Sequence, residues 1–292
     1  MERNFLNAYR GYIKLVRLDK PIGILLLLWP TLWAIVLSSK GIPDGNILGI
    51  FLLGVILMRS AGCIVNDIVD RQYDIKVART ANRVLSTNEV SLQEASVLLI
   101  GILLLAGSLL FSLNEKTILL ALGALFFTVI YPFFKRFFLF PQAILGIAFG
   151  FGILMAYSET KGSLEPMAWI LFIGNFFWAL SYDTVYALSD IEDDKKLGLR
   201  SSAITLGDKV ILGICIFQGI FLFLMISPVA VMENGIIYGF FWFLSALYSY
   251  YLFKKLLDIE PNYQRIFLDN QRVGALLFLG LQSTWTSKWI AR

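Results

Sequence analysis

Residues 47–74 read ILGIFLLGVILMRSAGCIVNDIVDRQYD, an apolar run that passes without a break into a row of carboxylates. Up to about residue 65 it supplies the ~20 apolar residues that a helix needs to cross a hydrocarbon core ~30 Å thick. If the helix continues, Asn66, Asp70 and Asp74 advance about 40° per step and line one face. An amide and two carboxylates in one column are hard oxygen donors, the kind that hold Mg2+. Asp67 lies about 100° round the helix and is a weaker ligand candidate. Arg59 stands inside the apolar run, close to the same face, where an ionisable group needs a partner. Two partners are open to it, a local aspartate or a ligand.

The apolar pattern extends over the whole chain. Of 292 residues, 58% are hydrophobic and only 16% charged, too apolar for a soluble domain of this size. Nine runs have the length of spans, at roughly 21–38, 47–65, 94–113, 117–132, 139–157, 166–187, 209–230, 234–253 and 271–289. The expected fold is an all-α integral membrane bundle of nine transmembrane helices, with residues 1–292 forming a single membrane domain. Lys and Arg set its orientation. They concentrate in the amino-terminal segment and in the loops after the second, fourth, sixth and eighth spans. The alternate side holds only Lys40, Lys116, Lys161, Lys288 and Arg292. The positive-inside rule then places the amino terminus in the cytoplasm and the carboxyl terminus outside. Residues 1–20, Arg3 among them, interleave basic side chains with Phe5, Tyr9 and Tyr12, which suits an amphipathic interfacial helix. They lack the apolar core and small-residue cleavage site of a signal peptide.

Composition also narrows the chemistry. The chain has no histidine, which excludes histidine general bases, histidine-ligated metals and serine–histidine hydrolysis. Cys63 and Cys215 lie far apart in apolar runs, with no partner at zinc or redox spacing, and read as buried small residues. No phosphate-binding loop of the nucleotide-hydrolase type is present, and no nucleic-acid partner is expected. Catalysis has to rest on carboxylates, amides, tyrosines and basic residues.

A second acidic cluster meets that need. Residues 182–194 read YDTVYALSDIEDD. Asp183, Asp190 and Asp194 share a helix face, because steps of seven and four both return close to the starting direction. Tyr186 lies on the same side, and Glu192 points away. Either cluster alone also reads as a solvated acidic helix end. Two on the same membrane side, each running into a basic loop, argue for a common ligand. Lys76, Arg79, Asn82 and Arg83 follow the first cluster. Lys195, Lys196 and Arg200 follow the second, and Lys135 and Arg136 follow Tyr131 at the end of the fourth span. Topology alone also makes such loops basic. Carboxylates together with cations around one spot fit a polyanion bridged by metal. Charge gathers on a diphosphate as it departs from an allylic carbon, and preplaced cations stabilise it there.

These residues resemble the UbiA-type prenyltransferases, and within them the bacterial 4-hydroxybenzoate polyprenyltransferases of ubiquinone synthesis. The likeness is carried by Arg17 to Gly23 with Trp29-Pro30-Thr31-Leu32-Trp33, by Arg59 to Asp74 with Arg79 to Arg83, by Tyr131 to Gln142, and by Asp183 to Ser201. It implies nine helices around a central cavity capped by cytoplasmic loops, in a bacterial inner membrane, with polyprenyl diphosphate, 4-hydroxybenzoate and membrane lipid as partners. It further implies that Asn66, Asp70 and Asp74 bind one Mg2+ and Asp190 and Asp194 a second, with Asp183 nearby. Arg79, Lys135 and Arg136 would contact diphosphate, among the substrate-binding group that includes Asn82, Arg83, Lys195 and Arg200. Tyr131 and Tyr186 would flank an allylic cation, and Arg59 would pair with the acceptor carboxylate. The chain departs from the pattern at Arg83-Val84-Leu85-Ser86-Thr87-Asn88, where the family commonly has Arg-Pro-Leu-Pro-Ser-Gly. Residues 75 and 76 likewise replace a frequent Gly-His. Rival readings are another family acceptor (homogentisate, dihydroxynaphthoate, haem or a glycerol ether) or a cation-coupled transporter. Transporters of that kind place their charges near the midplane on broken helices, whereas these acids lie at one face.

Overall fold

The computed structural model describes residues 5–290. Arg3 and Arg292 of the charge count lie outside them. All regular structure among the described residues is helical. A short helix α1 (Phe5–Leu15) leads into α2 (Ile22–Ser38), α3 (Gly45–Asp74), α4 (Leu92–Leu110), α5 (Glu115–Phe134), α6 (Pro141–Lys161) and α7 (Pro166–Ala187). Two short helices, α8 (Ile191–Leu197) and α9 (Ser202–Leu206), precede α10 (Val210–Leu224) and α11 (Pro228–Val231). The chain ends with α12 (Gly235–Leu256), α13 (Tyr263–Asp269) and α14 (Gln271–Ile290).

Local chemistry sets many of these boundaries. Ser91 and Glu94 close a reciprocal capping box at the start of α4, and Asn114 and Asp44 cap α5 and α3 through side-chain oxygens. Pro141 and Pro166 occupy first-turn positions of α6 and α7, where no N–H is required.

Six described segments are long and apolar enough to cross a membrane: α3, α4, α5, α6, Ser202–Val231 and α12. The sequence pattern expects nine. The other three expected spans coincide with α2, α7 and α14. Helix α2 has only 17 residues. Helix α7 buries Asn175, Ser181, Asp183 and Thr184 inward, and α14 carries Gln271, Arg272 and Gln282. Helices enclosed by protein need less apolar surface than those facing lipid, and α4, by contrast, buries only Ala95.

Helix α2 lies centrally, packed on α3, α6 and α14, while α6 and α7 pair and α10 packs on α7. Their junction is an aromatic core. Trp33 and Trp178 are 5.4 Å apart between ring centroids, and Phe221 stacks on Trp178 at 5.4 Å. The Trp33 indole donates to the Gly274 carbonyl at 3.0 Å, which holds α14 against α2.

At 30 residues, α3 is about 45 Å long. It outruns the hydrocarbon core, so its last turns carry Asn66 to Asp74 beyond the apolar part of the same helix. The second acidic segment is less regular than the spacing predicts. Helix α7 stops at Ala187, a 3-10 turn spans Leu188–Asp190, and α8 begins at Ile191.

Asp67 is the most buried of the first three aspartates, at 2% exposed. Both its oxygens accept from Arg17 Nη2, at 2.9 and 2.8 Å, and Arg83 Nη1 donates to it at 3.0 Å. Arg17 adopts a left-handed backbone (φ 59°), a conformation that costs a non-glycine residue about 1 kcal/mol or more and is held here by the ion pair. This carboxylate clamps the α1–α2 link and the 75–90 loop to α3. The loop is anchored again by Val84, Leu85 and Val90, buried with Leu15, Val16 and Ile64. Arg71 donates to the Leu85 carbonyl at 3.2 Å and to the Asn88 side chain at 2.5 Å. Asn88 has φ 57° and takes the left-handed position at which the family pattern has glycine, a conformation asparagine tolerates better than most residues.

Two outcomes follow from this packing. A Cβ on Gly274 would lie 2.6 Å from Trp178 and 2.9 Å from Trp29, so Gly274→Val should cost about 1–3 kcal/mol and lower Tm in detergent. Gly219→Val, on a face with no atom within 4 Å, should leave Tm nearly unchanged. Asp67→Ala strands Arg17 and crowds Arg83 onto a single acid. It should cost about 2 kcal/mol, below the full buried-pair figure because both arginines keep some solvent.

Candidate active site

One cavity of about 1140 Å³ gathers both acidic segments. Asn66, Asp70 and Asp74 reach it from α3, Asp183 and Tyr186 from α7, Asp190 from the 3-10 turn and Asp194 from α8. Arg17, Arg59, Arg79, Arg83, Lys135 and Arg200 line it too, as do Asn82 and Tyr131. An apolar stretch of wall is made by Phe51, Val55 and Met58 of α3, Leu103 and Leu110 of α4, Leu122 and Leu125 of α5, and Phe149 and Met155 of α6. The chamber therefore has a charged part, formed by the ends of α3 and α7, and an apolar part between the helix bodies.

The charged part is organised as acid–cation pairs. Lys135 Nζ is 3.3 Å from Asp70, and Arg83 Nη1 is 2.6 Å from Asp74. Arg79 forks onto Asp190 from Nε at 2.8 Å and from Nη2 at 2.6 Å, and its Nη1 donates to the Tyr186 hydroxyl at 2.5 Å. Two of the cations also lie over aromatic faces. The Arg79 guanidinium is 4.6 Å from the Tyr186 ring centroid, and Lys135 Nζ is 5.6 Å from that of Tyr131.

Burial opposes the charge on Arg79, but its hydrogen bonds to Asp190 and the fields of Tyr186 and Asp190 outweigh it, so its pKa rises. Arg83 is raised against burial by Asp67 and Asp74, and Lys135 by Tyr131 and Asp70. All three stay protonated. Asp194 is pushed up to about 6, first by burial and then by Asp190, against the pull of Lys135 and Arg79.

Loop contacts hold this arrangement in place. The Arg200 N–H donates to the Lys135 carbonyl at 2.7 Å, the Ala78 N–H to Asp193 at 3.2 Å and the Ser202 N–H to Gln142 at 2.9 Å. Thr184 and Ser202 share a hydrogen bond of 2.6 Å.

Arg59 stands apart from the pairs. Its Nε is buried without a hydrogen-bond partner, and it is absent from every ion pair among the described residues. Its nearest aromatic face is Phe149, at 5.8 Å. Of the two partners open to it in the sequence, the local aspartate is not engaged.

Two expected diphosphate or substrate contacts need correcting. Arg136 and Lys195 do not line the cavity. Arg136 lies over the rings of Tyr73 and Phe133, at 5.3 and 5.4 Å, and donates to the Val69 carbonyl at 3.1 Å. Lys135 takes the inward position and the next residue turns out. Lys195 is exposed on α8, about 100° round from the inward Asp194. Other residues enter the lining that the motifs do not single out. Tyr182, Gln142, Gln264, Phe267 and Gln271 are among them, with Phe267 packed 4.6 Å from the Tyr186 ring. Tyr182 lies within a quoted motif, but α13 carries no acidic column or basic run that would have marked it.

Among the described residues no three His, Cys, Asp or Glu side chains converge as a ready-made metal cage. A hard cation does not require one. Mg2+ is usually held by one or two carboxylates together with water and substrate phosphates, and the cavity presents an all-oxygen donor set from two directions. These residues fit such an ion.

Comparison with known proteins agrees with this architecture. The family model described as the UbiA prenyltransferase family matches residues 27–278. A 4-hydroxybenzoate octaprenyltransferase of Nitrosomonas eutropha is 46% identical over 283 residues, covering 95% of this chain and 97% of the relative. One from Citrobacter koseri is 40% identical, covering 96% and 97%. A solved UbiA homologue from Aeropyrum pernix K1 superposes with a TM-score of 0.78 at 24% identity, over 88% of this chain and 96% of that one. Another, from Archaeoglobus fulgidus and bound to GPP and Mg2+, gives 0.72 at 21% identity, over 94% and 99%. With a family match over most of its length, and relatives that align from end to end, this chain belongs to the UbiA prenyltransferase family.

Proposed function

We propose that this chain transfers a polyprenyl group from its diphosphate to the ring carbon ortho to the hydroxyl of 4-hydroxybenzoate, giving 3-polyprenyl-4-hydroxybenzoate for ubiquinone synthesis. The observation that carries the reading is one chamber with two acidic helix ends and paired cations in one part and a long apolar wall in the other. It has a place for a charged leaving group, a place for an isoprenoid tail, and a buried arginine outside the ion pairs, Arg59, for an acidic acceptor. The relatives that align over nearly the whole chain have this activity in their names.

Each group has a role in that reaction. Asn66, Asp70 and Asp74 hold one Mg2+ and Asp190 and Asp194 a second, with Asp183 nearby; bound there, Mg2+ neutralises charge on the departing diphosphate. Arg79 and Lys135 exchange an aspartate for a diphosphate oxygen, with Arg83, Arg200 and Asn82 at the edge of the same site. Tyr131 and Tyr186, whose rings already carry Lys135 and Arg79, turn π-faces toward the allylic carbon as its bond to oxygen lengthens. Arg59 pairs with the acceptor carboxylate and fixes which ring carbon faces the allylic carbon. The allylic C–O bond breaks first, its electron pair leaving with the diphosphate, and the ring carbon ortho to the hydroxyl then bonds to the allylic cation. The ring proton then leaves to Asp183 or to the released diphosphate. The apolar wall excludes water that would otherwise trap the allylic cation.

The fold is read in the same terms. Nine helices, α2 to α7 with α10, α12 and α14, cross a bacterial inner membrane. The acidic ends and their loops cap the chamber on the cytoplasmic side, α1 lies at that interface, and the carboxyl terminus faces the periplasm. The prenyl tail lies along the apolar wall.

Asp70→Ala and Asp190→Ala should each lower kcat/KM for prenyl transfer by about 10²-fold or more, measured as radiolabelled 4-hydroxybenzoate passing into the organic phase. Either variant at wild-type rate would sink the assignment. EDTA should abolish transfer in the same membranes and excess Mg2+ restore it; transfer that persists in EDTA would remove the metal from the scheme.

A further inference from the structure

Gly23 lies in the first turn of α2 and is buried. A Cβ built there would lie 2.1 Å from Arg59 Nε, 2.4 Å from Nη2 and 2.6 Å from Cζ. The three nearest atoms thus all belong to one guanidinium, reached from the neighbouring helix α3. Both residues line the cavity, and the Phe149 ring centroid is 5.8 Å from the Arg59 Cζ. Helix propensity alone favours alanine over glycine by about 1 kcal/mol at such a position. No positive φ calls for glycine here, since the left-handed glycines are elsewhere. What the missing side chain provides is room.

We infer that Gly23 is the specificity-determining residue of the acceptor end, a notch in α2 that seats the Arg59 guanidinium where it meets the acceptor carboxylate. The inference rests on the proposed pairing of Arg59 with that carboxylate and adds what sets its geometry. The guanidinium lies against α2, with its Cζ 5.8 Å from the Phe149 ring centroid, and its Nε is buried without a hydrogen-bond partner. The remaining nitrogens carry the charge that a carboxylate can grip. A methyl group at position 23 comes within 2.1 Å of Nε, far inside contact distance. The obstructing atoms are the far end of a flexible side chain, so α2 keeps its place and the guanidinium moves. The lost contact is a charge-assisted hydrogen bond to the acceptor alone; the donor's diphosphate site, at Arg79, Lys135 and the aspartates, is untouched.

The test is steady-state kinetics of Gly23→Ala, Arg59→Met and the double variant in membranes. Gly23→Ala is expected to raise KM for 4-hydroxybenzoate about tenfold or more, with KM for polyprenyl diphosphate unchanged. The double variant should be no worse than Arg59→Met alone, because the two changes remove one contact. Residual transfer to 4-hydroxybenzyl alcohol, which lacks the carboxylate, should be insensitive to Gly23→Ala. If Arg59→Met raises the acceptor KM and Gly23→Ala does not, the notch has no role and this inference fails while the pairing stands. If Arg59→Met leaves the acceptor KM unchanged, the pairing itself fails and the inference goes with it. Should Gly23→Ala fold poorly, its Tm decides in the Arg59→Met background. Recovery there supports a clash with the guanidinium alone, and no recovery overturns it.

Discussion

Charge at the end of a low-dielectric bundle is tolerated only when it is matched, and the charged half of this structure is an answer to that constraint. Asp67, Asp70, Asp74 and Asp190 each accept from an arginine or lysine that lies beyond the span carrying the acid. Their partners come from the α1–α2 link, from the 75–90 loop and from the end of α5. The pairs therefore fasten three connecting segments to the helix ends. Without them the acids would repel one another and the loops would have little to hold them over the chamber.

The acids divide into two kinds by what grips them. Asp67 is almost fully enclosed and held by two arginines, and it serves the fold. All six border the cavity, but Asp70, Asp74 and Asp190 each have one cation, and Asp183 and Asp194 have no ion pair among the described residues. That gradation follows from helix geometry. Asp67 is turned about 100° from the Asn66 column, toward the amino-terminal segment and the basic loop, whereas residues 66, 70 and 74 turn toward the space shared with α7.

The sequence made the helix-bound part of this legible and little else. The 66, 70, 74 column was readable because α3 continues unbroken past its apolar run. Residues 190 and 194 reach the cavity despite the 3-10 turn between α7 and α8. Partnerships were not readable. Arg79 and Asp190 are 111 residues apart, and which loop cation meets which acid depends on packing. Arg136 shows the same limit, since adjacent basic residues at a helix end look alike in sequence and only one can turn inward. Asn88 is a subtler case. The loop lacks the pattern's two prolines and glycine, yet Asn88 takes the left-handed conformation and Val84 and Leu85 supply by burial the order that proline supplies by covalent restraint. Helix α13 carried no signal at all, because Phe267 and Gln264 are ordinary residues until the fold brings them to the cavity and Phe267 onto Tyr186.

The pairing also constrains what the chamber can bind. A ligand of one sign takes one member of each pair and strands the other. A bare cation at Asp70, Asp74 and Asp190 would leave Lys135 and Arg79 uncompensated in a partly desolvated site and Arg83 with Asp67 alone, and a bare polyanion would do the reverse to the acids. Either loss amounts to several kcal/mol per buried charge, comparable with what the new contact returns. A metal–diphosphate complex brings both signs at once, so each carboxylate and each cation exchanges one partner for another and none is stranded. The acid–cation pairs thus favour a ligand in which metal and phosphate arrive joined, and Arg59, in no ion pair among the described residues, stands outside that exchange.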